Sequence, residues 1–238
     1  MKKLTSLVAM LMMVSTSAFA QFANAGASST SSAADTEGWQ GITVSYDKTS
    51  LTYDFEDAKD TDLDGFSVGY VKAFSISNDL PLFLEAGVKF SYASGEESIS
   101  EEFYYDGYYY EAGLKNEFTY YGLQIPINLA YKFAVNDEIQ IIPFTGLYLK
   151  GNLAAKVKQT LSLDGYELES ASYDLFDKED ADELDYDDTW NRLNFGWQIG
   201  AKVAYKQFTA GISYGLDLNE IGEKTKVNNF SISVGYNF

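Results

Sequence analysis

Acids, lysines and tyrosines are the residues that could do chemistry in this 238-residue chain, because it contains no histidine and no cysteine. Ser-His-Asp hydrolases and histidine-assisted proteases and acyltransferases need an imidazole as general base, so these classes are excluded. The missing cysteines exclude disulfides, thiolate metal sites and a lipoprotein anchor. Two carboxylates could still hydrolyse a glycosidic bond, but no pair stands out among the many acids. The sequence therefore predicts a protein that is not an enzyme.

Two acidic stretches carry oxygen ligands of the kind that bind Ca²⁺ or Mg²⁺. The first ends at Gly65 and resembles the first half of an EF-hand loop, but Val71 stands where that loop has its bidentate glutamate. The second lies in residues 161–188, where like-charged side chains are expected to repel one another and keep the loop mobile. Solvated loops are the favoured interpretation, weak cation capture is the alternative, and no other cofactor is expected. The candidate ligands are Asp60, Asp62, Asp64, Asp180, Asp182 and Asp185.

A tyrosine-rich segment surrounds the dipeptide Asp106-Gly107. Asp-Gly between alternating residues favours a two-residue hairpin turn, so segment 94–116 is predicted to form a protruding β-ribbon. Tyrosine offers a large contact area with few torsions to freeze, which makes the ribbon a candidate binding surface. The alternative is that its aromatics fold the ribbon onto its neighbours. The aromatics concerned are Phe103, Tyr104, Tyr105, Tyr108, Tyr109 and Tyr110.

The elements that must position these residues have the period of β-strands. Along the last eight residues, apolar side chains alternate with small or polar ones up to Tyr236 and Phe238, and successive side chains of a strand point to opposite faces. Seven further segments alternate in the same way. The predicted strands are 38–48, 64–76, 81–93, 117–133, 138–160, 189–205, 207–218 and 231–238.

The two faces of these strands differ in a way that predicts a membrane barrel. The non-apolar face is too rich in charged and amide side chains for a soluble core, whereas the apolar face is almost free of charge. We therefore expect an eight-stranded antiparallel up-and-down transmembrane β-barrel with a polar lumen and a lipid-facing exterior. The predicted lumen network is Glu85, Lys89, Gln124, Asn128, Arg192, Gln198 and Lys202.

Two positions leave the pattern ambiguous. In 138–160 both faces are largely apolar, and the segment is placed with Lys150 and Asn152 inside and Leu147 and Leu149 outside. Lys72 shares the phase of the lipid-facing residues, so it either reaches toward the membrane interface or is displaced by a bulge.

Loop lengths and the amino terminus give the barrel its orientation. Short turns alternate with longer loops, which is the arrangement of outer-membrane barrels, with short turns in the periplasm. A basic start, a short apolar run and Ala18-Phe19-Ala20 predict a signal peptide at residues 1–20. A small, polar periplasmic leader at 21–37 and a barrel at 38–238 follow.

Four stretches of the chain are similar to the PorT-like, or "porin family", outer-membrane β-barrel domain. They are QIPINLAYKF (124–133), IPFTGLYL (142–149), NFGWQIGA (194–201) and VGYNF (234–238). The resemblance spans about residues 38–238 and implies an eight-stranded barrel in a Gram-negative outer membrane. Most members of that family lack an assigned activity, and no site residues carry over.

These observations predict a non-enzymatic outer-membrane protein that acts in surface interaction, adhesion or envelope integrity. The alternatives are a narrow pore for small solutes and a surface protein that binds cations or lipopolysaccharide. The expected partners are membrane lipids and lipopolysaccharide, an unknown extracellular partner, and the barrel-assembly machinery acting through Tyr236 and Phe238. The formal charge of −18 argues against nucleic acid, and a monomer is expected.

Overall fold

The computed structural model of the chain describes residues 36–54, 60–184 and 188–238. The predicted signal peptide (1–20) and the predicted leader (21–37), except its last two residues, lie outside the described residues. No helix in the described ranges is long and apolar enough to cross a membrane. The elements are β1 (Gln40–Tyr53), β2 (Thr61–Ser75), β3 (Leu82–Tyr105), β4 (Tyr108–Tyr131), β5 (Phe133–Ala134), β6 (Ile139–Leu163), β7 (Tyr166–Asp174), α1 (Lys178–Glu183), β8 (Leu193–Tyr205), β9 (Phe208–Asp217) and β10 (Thr225–Asn237).

Eight of the strands form a closed antiparallel ring in the order β1–β2–β3–β4–β6–β8–β9–β10. The ring closes because β10 pairs with β1, for example through Val44 and Val234. The two additional strands, β5 and β7, pair with β6. Within the described residues, closure leaves the eight-stranded wall without an edge strand, and the predicted eight-stranded up-and-down barrel is confirmed.

The predicted inside and outside faces are also confirmed. Ile127 is 51% exposed, whereas the next residue, Asn128, is 3% exposed. In β6, Leu147 and Leu149 point outward, and Lys150 lies inside, as predicted. This inverted arrangement is stable where lipid surrounds the apolar face and the polar side chains satisfy one another inside.

Two apolar clusters occupy the two ends of the interior. At the short-turn end, the first cluster is Ala73, Phe83, Ala130, Ile142, Phe144 and Ala204, with Trp39 packed against it. At the long-loop end, the second cluster joins strand residues such as Leu51 and Val227 to loop residues Leu175, Trp190 and Ile221. The polar side chains of the lumen therefore lie between two apolar layers.

The described part of the acidic segment, residues 161–184, is structured, which corrects the prediction of a mobile loop for these residues. Its first part continues β6 into a hairpin with β7 through Asp164 and Gly165, whose φ angles are 48° and 79°. Asp177 then caps the short helix α1. Leu175 and Ala181 are buried. The burial of these two side chains and the hairpin pairing hold the segment although its many exposed acids repel one another.

Candidate functional site

The centre of the lumen is organised around the carboxylate of Glu85, whose side chain is 2% exposed. The ammonium of Lys202 lies 2.7 Å from its Oε1 and 2.6 Å from its Oε2. Asn128 donates to Oε1 and the indole of Trp39 donates to Oε2, each at 3.1 Å. One cation and two neutral donors therefore satisfy this buried anion, as a buried ion pair requires.

Amide side chains extend this network across the barrel. The Nε2 of Gln198 donates to the Oδ1 of Asn128 at 2.7 Å, and the Nε2 of Gln124 donates to the Oε1 of Gln198 at 3.1 Å. Strands β3, β4 and β8 are thus joined through the lumen. Five of the seven predicted network residues form this one connected group.

Two further ion pairs lie nearer the long-loop end. The ammonium of Lys150 lies 2.5 Å from Asp217 Oδ2, and the hydroxyl of Tyr148 donates to Asp217 Oδ1 at 2.6 Å. Lys89, a predicted member, lies 3.3 Å from the Oδ1 of Asp47. Asp47, Tyr148 and Asp217 were not among the predicted lumen residues. Asp47 and Asp217 could have been found from the alternation along their strands, because each lies at a position that continues the inward face.

Arg192 is not part of the lumen network, which corrects the prediction. Strand β8 begins one residue later, at Leu193, and Arg192 is exposed. Its guanidinium carbon lies 4.3 Å from the centre of the Phe176 ring. At this height the interior is already filled by the apolar cluster, so the charged side chain turns outward and lies over an aromatic face instead.

A chain of asparagines fastens the long loops to the barrel wall. The hydroxyl of Tyr120 donates to Asn152 Oδ1 at 2.6 Å, and Asn152 Nδ2 donates to Asn194 Oδ1 at 2.6 Å. Asn194 in turn donates to the carbonyl of Asn219 in the β9–β10 loop at 3.3 Å. These bonds hold the loop residues that close the lumen.

The lumen contains a cavity of about 50 Å³. Asp47, Lys89 and Lys150 line its polar side, and Leu51 and Trp190 are among its apolar neighbours. A water needs roughly 10–15 Å³ of such space, so the cavity holds only a few water molecules. The cavity is far too small to serve as a continuous aqueous channel.

The short-turn end is closed by Trp39, which precedes β1. Its ring lies 4.8 Å from the ring of Phe83, and the ammonium of Lys132 lies 4.8 Å from the same Phe83 ring. Lys132 also donates to the carbonyl of Glu37 at 2.6 Å. The segment entering β1 is therefore anchored inside the barrel mouth and does not hang free.

The predicted β-ribbon exists and is larger than expected. Beyond the barrel, β3 and β4 continue to the turn at Asp106 and Gly107, while β6 and β7 form a second hairpin beside them. The two hairpins are joined, because β4 pairs with β6 as far as Ala112 and Leu163. We call residues 95–117 and 158–174 the ribbon; together they form a four-stranded sheet that projects from the barrel.

Most of the predicted aromatics of the ribbon are exposed to solvent. Tyr104 and Tyr109 are 63% and 76% exposed, and their rings lie 5.0 Å apart across the hairpin. Tyr105 and Tyr108 are 69% and 68% exposed. The alternative, that these rings fold the ribbon onto neighbouring elements, is wrong, because the paired rings contact each other and leave most of their surface free.

One face of the ribbon carries a row of apolar side chains that is largely exposed. Ile99, Leu114 and Leu161 stand opposite one another in adjacent strands, with Ile99 65% and Leu161 47% exposed. They continue the inward phase of the wall, since Ile99 is in phase with the buried Ala93. The apolar interior surface thus extends beyond the loops that cover it.

The six metal-ligand candidates are not brought together among the described residues. No group of three or more acidic side chains there is arranged to hold a metal ion, and Asp185 lies outside the described ranges.

Asp62 lies in strand β2, where Lys48 at 2.8 Å and a hydrogen bond from Ser50 lower the pKa of its carboxyl. The partners of the other candidates are local. Asp64 accepts from Tyr46, Asp180 accepts from the backbone of Asp174, Asp182 pairs with Lys178, and Asp60 is exposed.

The closing strand places its aromatics on the outer face near the short-turn end. Tyr236 packs edge-on against Phe208 with ring centres 5.4 Å apart. Phe238 is 64% exposed, and its backbone N–H donates to the carbonyl of Gln40 at 2.9 Å. The last residue thereby completes the seam between β10 and β1.

Comparison with known proteins gives one family and several solved neighbours. The family model described as "Outer membrane protein beta-barrel domain" matches residues 25–222. No curated protein matches the chain.

Ail, the attachment invasion locus protein of Yersinia pestis, is 17% identical with a TM-score of 0.40, over 85% of this chain and 99% of that one. Neisserial surface protein A is 12% identical with a TM-score of 0.43, over 84% of this chain and 97% of that one. The outer membrane enzyme PagL is 13% identical with a TM-score of 0.39, over 82% of this chain and 98% of that one. At these TM-scores the functions of the three proteins do not transfer to this chain.

Proposed function

Because this chain belongs to the family of outer membrane proteins with a β-barrel domain, we propose that it is a non-enzymatic surface protein whose ribbon binds an extracellular partner. The observation that carries the proposal is the exposure of the aromatic tip and of the apolar row on one face of the ribbon. The family assignment supports a Gram-negative outer membrane, and we propose that the short turns face the periplasm, as is usual for such barrels. The ribbon then projects away from the cell.

The exposed side chains of the ribbon are those that dominate binding energy in protein interfaces. Tyrosine is enriched among the residues that lose most affinity on truncation. Tyr104 and Tyr109 are paired across the hairpin, so less torsional freedom is lost when a partner covers them. On the opposite face of the ribbon, Ile99 and Leu161 supply further apolar area that water covers in the free protein.

The charge of the ribbon defines the kind of partner that fits. Seven acids lie in residues 95–117 and four in 158–174, against two lysines, Lys115 and Lys158. A polyanion would be repelled by this surface, whereas a protein surface combining apolar and basic side chains would be attracted. We therefore propose a protein partner and not an acidic polysaccharide.

The lumen supports a scaffold in preference to the alternative of a narrow pore. Apolar clusters close both ends, and the buried carboxylates of Glu85 and Asp217 are each neutralised by a lysine within 2.6 Å. Carboxylates engaged in this way are also poor candidates for general acid–base chemistry, which supports a non-enzymatic role. The same proposal has four further parts. The chain is PorT-like, residues 1–20 are a signal peptide, the barrel assembles through its last strand, and the protein is a monomer.

The test is the adherence of cells that display the protein in a laboratory Gram-negative host. Truncating one interface hot spot costs about 2 kcal/mol or more, so Tyr104→Ser/Tyr109→Ser is expected to lower binding to epithelial monolayers at least about tenfold. The matched control is Tyr205→Ser, an exposed tyrosine at the opposite end of the barrel. Binding to heparin-coated wells is expected to be absent for every variant.

Surface levels measured by flow cytometry must be equal for the comparison to hold. Undiminished adherence of the double variant would contradict the proposal, as would strong binding to heparin. A loss of the same size in Tyr205→Ser would show that membrane integration, and not the ribbon, sets adherence.

A further inference from the structure

Lys72 is a cation on the apolar outer surface with no anionic partner in the described part of the chain. It is exposed and shares the outward phase of Tyr70 and Phe74, which are 37% and 50% exposed. Its ammonium lies 5.2 Å from the centre of the Phe74 ring. The pairing of β2 with β1 and β3 runs through Lys72 without a shift, so the predicted alternative of a bulge is wrong.

The position of Lys72 along the barrel makes this unusual. Phe74 and Ile76 lie beyond Lys72 toward the short turn. Both are apolar, and each is about half exposed. Lys72 therefore lies within the apolar band and not past its rim. A cation in such a band is costly unless it reaches an anion or the polar headgroup layer. By contrast, Lys206 at the same end has Glu138 3.1 Å from its ammonium.

A groove lies next to the Lys72 side chain. It has a volume of about 280 Å³ and is lined by Gly38, Trp39, Gln40, Lys72, Ala73 and Phe238. The Oε1 of Gln40 accepts a hydrogen bond from Tyr70 at 3.1 Å, which leaves its amide nitrogen as a donor. On the outer surface the groove thus combines a cation, an amide donor and the aromatic side chain of Phe238.

We propose that Lys72 and this groove bind the phosphate of an anionic glycerophospholipid in the periplasmic leaflet. The ammonium and the Gln40 amide face the phosphate, while the outward-facing ring of Phe238 contacts the glycerol and the start of the acyl chains. A zwitterionic headgroup carries its own ammonium, which competes with Lys72 for the phosphate. The site therefore favours phosphatidylglycerol over phosphatidylethanolamine.

Native mass spectrometry of the detergent-solubilised protein tests this, with phosphatidylglycerol, phosphatidylethanolamine and diacylglycerol added in turn. One basic residue at a membrane surface contributes a factor of about five in lipid affinity. Lys72→Gln is thus expected to reduce the fraction carrying one phosphatidylglycerol about fivefold, whereas Lys72→Arg retains it. The matched control, Lys206→Gln, removes a lysine that is already paired and is expected to bind as the unchanged protein does.

Three outcomes would overturn the proposal. The first is equal phosphatidylglycerol binding by Lys72→Gln and the unchanged protein, with both showing the heat-dependent gel shift of a folded barrel. The second is equal binding of diacylglycerol, which lacks the phosphate. The third is full displacement of the lipid by millimolar inorganic phosphate, which would identify a free anion as the ligand.

Discussion

The ion pair between Glu85 and Lys202 provides a quantitative test of the lumen. Replacing Lys202 by Met keeps the length and apolar stem of the side chain but removes its charge. The carboxylate of Glu85, 2% exposed, is then left with two neutral donors, Asn128 and Trp39. Breaking a buried pair by removing one partner costs about 3–5 kcal/mol, and we expect a loss in that range because the Lys202 side chain is itself only 13% exposed.

The double variant separates the pair from its surroundings. In Glu85→Gln/Lys202→Met no charge is left unpaired, and the glutamine oxygen can still accept from Asn128 or Trp39. We expect it to recover about 2 kcal/mol or more relative to Lys202→Met alone. The free energy of unfolding is measured by urea titration in lipid vesicles, with tryptophan fluorescence as the signal.

The control for this comparison is a surface pair at the short-turn end. Lys206 and Glu138 are 3.1 Å apart with side chains 51% and 53% exposed, so Lys206→Met is expected to cost about 1 kcal/mol or less. Equal losses in Lys202→Met and Lys206→Met would refute the buried network. An additive double variant would refute the coupling between Glu85 and Lys202.

Two further predictions use other parts of the molecule. Ile127→Lys is expected to cost about 2–4 kcal/mol in vesicle unfolding because it puts a charge on the lipid face. Ile99→Lys, at an exposed isoleucine on the ribbon, is expected to change stability by about 0.5 kcal/mol or less, and similar costs for the two variants would contradict the assigned membrane span. Gly107 has a φ of 87°, so Gly107→Val is expected to strain the turn by about 1–2 kcal/mol and speed hydrogen exchange at the ribbon tip alone. Unchanged exchange there would contradict the turn geometry.

Alternation along the strands was sufficient to predict which side chains face lipid and which face the lumen. The period of two is strict, so once the phase of Ile127 was known, that of Asn128 and Gln124 followed. The same logic placed Lys150 inside although both faces of its strand are largely apolar.

The partners of the lumen residues could not be predicted in the same way. Lys150 contacts Asp217 because β6 pairs with β8, and β8 pairs with β9, at particular registers. The alternation within a single strand does not determine the register across three strands. Arg192 was misplaced because its phase is that of the lumen, whereas the strand begins one residue later. The helix in the acidic loop was not predicted, because the many acids of the segment were given more weight than the helix cap at Asp177 and the apolar Leu175.

The closed lumen is the central claim, since it confines function to the outer surface of the molecule. Single-channel recording in a planar bilayer measures it directly. With apolar clusters at both ends and a cavity of about 50 Å³ between them, the folded protein is expected to give no steady unitary conductance. Stable conductance steps that scale with the number of inserted barrels would contradict a closed lumen and support the narrow pore instead.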